Sequence, residues 1–110
     1  FTQNNGSYAI NKILDSNRPT AVVATDDLLA FGAQETLNEL GVKNMSIAGF
    51  NNIPMSEYQN PPLSSVDINA EELGFYATKL IIDKLEGKSS NRNSYIIDTK
   101  LIERESIKKI

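Results

Sequence analysis

Four polar residues lie directly after two short apolar runs of the sequence. Asp26 and Asp27 follow the run at 21–24, and Asn51 and Asn52 follow the second run. Carboxylates accept hydrogen bonds in fixed directions, whereas amide side chains both donate and accept them. That combination suits the hydroxyl groups of a polar ligand, which also donate and accept. The four residues therefore indicate a site that binds a ligand.

Each of these residues also has a simpler structural interpretation. Asp27 is placed to cap a following helix, because its side-chain oxygen can accept from amides of the first turn. Asp26 is not predicted to cap the helix. Its side chain is predicted to project from the end of the strand, toward solvent or toward a ligand. Asn51 and Asn52 equally suit a turn, since asparagine tolerates left-handed backbone. Phe50 offers either an aromatic face to a ligand or a side chain to the core.

The composition excludes most catalytic chemistry. The 110 residues contain no cysteine and no histidine, which removes disulfides, thiolate or imidazole metal sites and Ser-His-Asp catalysis. An acidic pair at a strand end also suits Mg²⁺-dependent phosphotransfer, as in response-regulator receivers. Such a site needs a further aspartate at another strand end, where this sequence has asparagines. We therefore expect no enzyme activity, no metal ion and no cofactor.

Length and charge indicate one soluble domain that does not bind nucleic acid alone. The chain has 40% hydrophobic and 23% charged residues, and 11 basic against 14 acidic residues give a net charge of −3. A nucleic-acid-binding domain normally shows a basic face. The first residues do not resemble a signal peptide. Because the chain begins with Phe1 and not with methionine, we expect it to be a piece of a longer protein.

Hydrophobic periodicity predicts the elements that position these residues. Helices are predicted over 7–16, 28–40 and 71–86, the last two stopping at Gly41 and Gly87. Strands are predicted over 21–24, 46–50, 64–68 and 95–102, and a solvated loop over 88–93. Alternating helices and continuously apolar strands, covered on both faces, predict an α/β fold with a mostly parallel sheet flanked by helices. Ligands bind at the carboxyl ends of the strands in such sheets.

Short motifs spread over almost the whole chain occur in a recognisable order. They are PTAVVATDDLLAFG at 19–32, LGV at 40–42, SIAGFNN at 46–52, PLSSV at 62–66, LG at 73–74 and LIERES at 101–106. This series resembles the effector-binding core of LacI/GalR-family transcriptional repressors. The FNN motif together with PPLSSVDIN at 61–69 is most similar to the maltose-type branch of that family.

The resemblance implies the C-terminal lobe of a two-lobed core with a periplasmic-binding-protein-like fold. A small molecule, usually a sugar, binds between the lobes of such a core. The resemblance also implies a cytoplasmic homodimer that contacts operator DNA only through a headpiece outside this chain. The helix at 71–86 is then expected to belong to the other lobe, most of which is missing from this chain. Its apolar stripe must repack, be covered by a neighbouring chain or stay exposed, and we therefore expect self-association. The alternative is a sugar-binding transport protein of the same fold, which the LIERES ending disfavours.

The resemblance also assigns roles to individual residues. Asp26 and Asn51 would line the effector cleft, with Asn51 replacing the aspartate that is common there. Ile68 lies near the crossover between lobes and would add an apolar contact, so the predicted effector-binding set is Asp26, Phe50, Asn51 and Ile68. The predicted dimer interface consists of Leu28, Leu29, Gly32, Glu35, Ser56, Glu57 and Tyr58.

Overall fold

Four strands form a single sheet in the order β1-β2-β3-β4 in the computed structural model, which describes residues 1–88 and 94–109. Strands β1, β2 and β3 are parallel, and β4 is antiparallel to β3. The strands are β1 (Ala21–Val23), β2 (Ser46–Asn51), β3 (Ser64–Asp67) and β4 (Lys100–Ile102). The helices are α1 (Gln3–Asp15), α2 (Asp27–Glu39), α3 (Ala70–Leu85) and a 3₁₀ helix (Pro54–Tyr58). The predicted α/β fold with a mostly parallel sheet is confirmed.

The core lies between one face of the sheet and the adjacent helices α1 and α2. Its fully buried side chains include Ile10, Phe31, Ile47 and Leu63. The helices pack with their backbones in contact. A Cβ atom added to Gly6 would meet the carbonyl oxygen of Leu29 at 2.0 Å, so only glycine fits at this crossing.

The opposite face of the sheet is largely uncovered within the described part of the chain. Val23 is 76% exposed, and Phe50 and Leu101 are also exposed. The strand at 21–24 was predicted to be covered on both faces, and this prediction is wrong. Its apolar run faces the core through Val22 and Ala24, because α1 and α2 both pack on the same side.

Two predicted boundaries differ from the observed ones for identifiable reasons. Helix α1 begins at Gln3 instead of residue 7, because the Thr2 side chain accepts from the amide of Asn5 and caps an earlier turn. The last strand was predicted from residue 95 and begins only at Lys100. Its partner β3 ends at Asp67, opposite Lys100, so no neighbouring strand pairs with the preceding residues. Most of the predicted loop at 88–93 lies outside the described residues.

Helix α3 contains no buried residue. Its side chains Phe75, Ile81 and Leu85 are 63%, 61% and 82% exposed. The molecule measures 58 × 25 × 23 Å along its three principal axes. The helix and its stop at Gly87, where φ is +67°, were correctly predicted. Its apolar stripe does not repack within the described chain and stays exposed. No helix in the two described ranges is both long and apolar enough to cross a membrane.

Candidate functional site

Three parallel strands end at the same edge of the sheet and bring separate polar residues together there. Asp26 follows β1, Asn51 closes β2 and Asp67 closes β3. The amide Nδ2 of Asn51 donates a hydrogen bond to Oδ2 of Asp26 over 3.0 Å. The two strand ends thus meet, as the position of each after a parallel strand predicted. We call the group Asp26, Asn51, Asn52, Asp67 and Asn69 the edge cluster.

Asp26 is the N-cap of α2. Its backbone is extended, with φ −157° and ψ 149°, and its Oδ1 accepts from the amide of Leu28 over 2.8 Å. The prediction that Asp27 caps this helix is therefore wrong, because the helix begins one residue earlier than expected. Asp26 remains half-buried beside Asn51, so one carboxylate both caps the helix and faces the edge of the sheet.

Asp27 is instead the first residue of α2 and is fully buried. Its Oδ2 accepts from the amide of Ile53 at 2.8 Å and from the hydroxyl of Ser56 at 2.9 Å. Its Oδ1 accepts from the hydroxyl of Ser65 at 2.6 Å. Buried carboxylates require such partners because desolvation is costly. A Cβ on Gly49 would lie 2.2 Å from this Oδ1, so the carboxylate occupies the space that the glycine leaves free.

Asn52 connects the second and third strand ends. Its amide N–H donates to the hydroxyl of Ser65 at 2.9 Å, and its Nδ2 donates to Oδ2 of Asp67 at 3.0 Å. Its Oδ1 is buried and has no hydrogen-bond partner within the described residues. Buried polar atoms normally find a partner, so this oxygen has acceptor capacity left at the edge cluster.

The pKa of Asp67 is lowered from its ordinary value. The main cause is the hydrogen bond that the amide of Asn69 donates to its Oδ1 over 2.8 Å. The side chain of Asn52 and the charges of Lys100 and Arg104 act in the same direction, and desolvation opposes them. Each of these donors or cations stabilises the ionised form. The net effect of the edge cluster is to favour the ionised form of Asp67.

Three asparagines of the edge cluster have left-handed backbone. The φ angles are 111° at Asn51, 52° at Asn52 and 54° at Asn69. Such angles are unfavourable for most side chains, and asparagine tolerates them better than most. The turn interpretation of Asn51 and Asn52 is confirmed, and the turn aims their amides at the neighbouring carboxylates. Their role in ligand binding stays a prediction.

The remaining predicted site residues lie in different surroundings. Phe50 is 39% exposed on the uncovered sheet face, since the adjacent Gly49 faces Asp27 and side chains alternate along a strand. Ile68 follows β3 directly at the same edge and is half-buried. The roles of Phe50 and Ile68 in effector binding stay predictions.

Two of the predicted interface residues are inaccessible. Ser56 is fully buried under Asp27, and a Cβ on Gly32 would lie 1.9 Å from the carbonyl oxygen of Gln3 in α1. Neither can contact a second chain directly, so these two assignments are wrong. The other five stay predictions: Leu28 and Leu29 are half-buried, and Glu35, Glu57 and Tyr58 are exposed.

Ser65, Asp67 and Asn69 are site residues that the sequence reasoning did not assign. Asn69 directly follows the strand predicted at 64–68, so the rule that found Asp26 and Asn51 would also have selected it. Asp67 lies inside that predicted range and comes to the edge of the sheet because β3 ends there. The hydroxyl of Ser65 carried no such signal, because its role depends on two partners distant in the sequence. Across residues 1–88 and 94–109, no group of three acidic residues could hold a metal ion.

Comparison with known proteins identifies the class to which this fold belongs. Residues 2–107 match the family described as periplasmic binding protein-like domain, and the chain belongs to that family. Its relatives within the family are LacI-type transcriptional repressors, as the resemblance implied. The transcriptional repressor CytR of Escherichia coli is 34% identical over 110 residues, which are 96% of this chain and 32% of that protein.

Solved structures agree with this assignment. A putative LacI transcriptional regulator from Bacillus cereus subsp. cytotoxis is 38% identical, with a TM-score of 0.91, over 98% of this chain and 40% of that one. The transcriptional regulator CelR in complex with cellobiose is 27% identical, with a TM-score of 0.89, over 96% and 34%. These similar proteins are regulators and not enzymes, which agrees with the expectation from composition. The chain spans about a third of the length of CytR.

Proposed function

We propose that this chain is the effector-sensing part of a LacI-type transcriptional repressor and that its effector is a saccharide. The hydrogen bond between Asp26 and Asn51 carries the proposal. It places a charged acceptor beside an amide at the carboxyl edge of the sheet, where ligands of open α/β sheets bind. Adjacent hydroxyl groups of a sugar can donate to the carboxylate and accept from the amide.

The regulatory role belongs to the longer protein, since the chain spans about a third of the length of CytR. We propose that this protein is a homodimer that binds operator DNA outside the present chain. The net charge of −3 supports this division, because phosphate contacts require a basic surface. The saccharide would shift the dimer between DNA-bound and released states by binding one of them more tightly.

Within the saccharides, we propose a glucose-containing disaccharide. The FNN motif at 50–52 is similar to maltose-type repressors, and CelR is a structural neighbour seen with cellobiose. Maltose and cellobiose both consist of two glucose units and differ in the linkage between them. The edge cluster holds amides from three positions, Asn51, Asn52 and Asn69, which suits a ligand with several hydroxyl groups.

Titration calorimetry on the full-length gene product tests the proposal with maltose, cellobiose and, for contrast, cytidine. We expect a disaccharide to bind the wild-type protein. Asp26→Ala should weaken binding by roughly 1–3 kcal/mol, because one charge-assisted hydrogen bond is lost and its former partners are left without a hydrogen bond. Asp26→Asn keeps a good helix cap and removes only the charge, so its loss should be smaller. Asp15→Ala, on an exposed residue at the end of α1, is the control and should bind normally.

Two results would contradict this assignment. Unchanged affinity in Asp26→Ala removes Asp26 from the binding site. Binding of cytidine without binding of either disaccharide overturns the choice of effector class.

A further inference from the structure

Asp27 connects the edge cluster to the 3₁₀ helix, which follows Asn52 along the chain. Its Oδ1 accepts from Ser65, whose hydroxyl oxygen in turn accepts from the amide of Asn52. Its Oδ2 accepts from Ile53 and from Ser56, which belongs to the 3₁₀ helix. One buried carboxylate thus bridges two segments through its two oxygens.

Asp27 holds the segment at 51–53, whose backbone conformation depends on surrounding contacts. Asn51 and Asn52 both have positive φ, at 111° and 52°, and such backbone persists only where surrounding contacts fix it. Asp26 fixes the side chain of Asn51, whereas Asp27 fixes the following backbone at Ile53 directly and at Asn52 through Ser65.

The bridge is fully buried. Asp27, Ser56 and Ser65 are each 0% exposed, and hydrogen bonds to a charged group away from water are stronger than those at the surface. The outer side of the 3₁₀ helix is open, with Met55 and Tyr58 55% and 80% exposed. A displacement at Asn52 can therefore reach an accessible surface through three consecutive hydrogen bonds.

We propose that Asp27 is a positioning residue of the effector site and that it couples this site to the 3₁₀ helix. The inference rests on the proposed function for its ligand. Asp27 sets the backbone from which Asn51 and Asn52 present their amides, and it does so without touching the ligand. A saccharide that binds Asn51 would shift this backbone and, through Asp27, the outer surface of the 3₁₀ helix.

The first test needs no ligand. Hydrogen exchange measured by mass spectrometry on the full-length gene product compares wild type with Asp27→Asn, which keeps the side-chain shape and removes the charge. We expect exchange at Asn52 and Ile53 to accelerate at least about tenfold. Ile10→Val and Ile10→Ala perturb the buried core away from Asp27 and serve as controls. One should lower Tm by less than Asp27→Asn and the other by more, so that exchange can be compared at an equal loss in Tm. If either control accelerates these amides as much at equal Tm, or if Asp27→Asn leaves them unchanged, the positioning role is overturned.

Ser65→Ala provides a milder variant should Asp27→Asn fail to fold. It removes the hydroxyl that joins Asn52 to Asp27 and leaves Asp27 bonded to Ile53 and Ser56. We expect faster exchange at Asn52 in this variant, with Ile53 much less affected. Equal acceleration at both amides would contradict the separate roles of the two carboxylate oxygens.

The second test uses the disaccharide that binds wild type. Ser56→Ala removes one hydrogen bond on the 3₁₀ side only, and we expect it to raise the Kd at least about threefold. Met55→Ala, on an exposed neighbour, should stay within about twofold. An unchanged Kd in Ser56→Ala overturns the coupling. If no saccharide binds wild type, the proposed function fails, and the exchange measurements still decide the role of Asp27.

Discussion

Asp26 and Asp27 are neighbours in the sequence, yet their carboxylates face different surroundings. Asp26 precedes the helix with extended backbone and stays half-buried at the edge of the sheet. Asp27 already has helical backbone, and its side chain lies over β2 in the space beside Gly49. Two chemically identical groups therefore differ in role because the backbone changes conformation between them.

At the residue scale, Asp67 is expected to make the stability of the chain depend on pH in acid. Its pKa is lowered in the folded state, chiefly by the amide of Asn69, so the unfolded chain binds its proton more readily. This contribution to stability is fully present above the unfolded pKa and is lost as pH falls through the lower folded pKa. Thermal unfolding between about pH 7 and pH 2.5 should show a smaller fall in Tm for Asp67→Asn than for wild type.

A control variant makes that measurement specific. Asp15→Asn changes an exposed carboxylate of α1 and should leave the acid dependence as in wild type. An Asp67→Asn variant that loses stability as steeply as wild type would show that other carboxylates cause the acid dependence.

At the scale of elements, close packing at glycines sets how the helices meet their neighbours. Gly6 and Gly32 allow α1 and α2 to approach backbone to backbone. Gly49 lets β2 lie directly under the carboxylate of Asp27 and the side chain of Leu63. The position of α2, and hence of Asp26 at its start, depends on the absence of a side chain at each of these glycines.

Gly49→Ala is therefore expected to destabilise the chain by about 1–3 kcal/mol, because its Cβ overlaps buried atoms that cannot move freely. Gly74→Ala adds the same methyl group in α3, where nothing lies within 4 Å, and should stabilise by about 0.5–1 kcal/mol. Urea denaturation of both variants measures the two effects. Equal stability of the two variants would show that the contact at Gly49 relaxes without cost.

At the scale of the whole molecule, two apolar surfaces are uncovered by the residues that the structure describes. One is the exposed face of α3, and the other is the sheet face that includes Val23 and Leu101. The radius of gyration is 17.8 Å, well above the ~13 Å typical of a compact domain of this size. Apolar surface of this kind commonly marks an interaction site.

The 110-residue chain is therefore expected to self-associate. Analytical ultracentrifugation should show a mean mass that rises with concentration above the 12.2 kDa of one chain. Replacing Phe75 and Leu85 by glutamate places charge on the α3 face and should restore the monomer. Asn4→Glu and Asn11→Glu add the same charge on exposed positions of α1 and should not. A monomeric wild-type chain at every concentration would contradict this expectation.

The sequence identified the part of the candidate site that follows from strand order. Asp26 and Asn51 were placed together because both follow short apolar strands of a predicted parallel sheet, and they are joined by a 3.0 Å hydrogen bond. Asp27 was assigned as a cap because a helix start is known from sequence only to within a residue or two. The shift of one residue gave the cap to Asp26 and moved Asp27 into the interior.

Local periodicity and turn residues by themselves determined the helices, the strands and the helix stops at Gly41 and Gly87, because these depend on residues near one another in the chain. The alternation of these elements along the chain then predicted the α/β class and its mostly parallel sheet. Only the tertiary structure decided which surfaces are covered. The run at 21–24 is half uncovered, and Gly32 and Ser56 are hidden although they were expected at an interface. Burial depends on which distant segments pack over a residue, and no local pattern of the sequence contains that information.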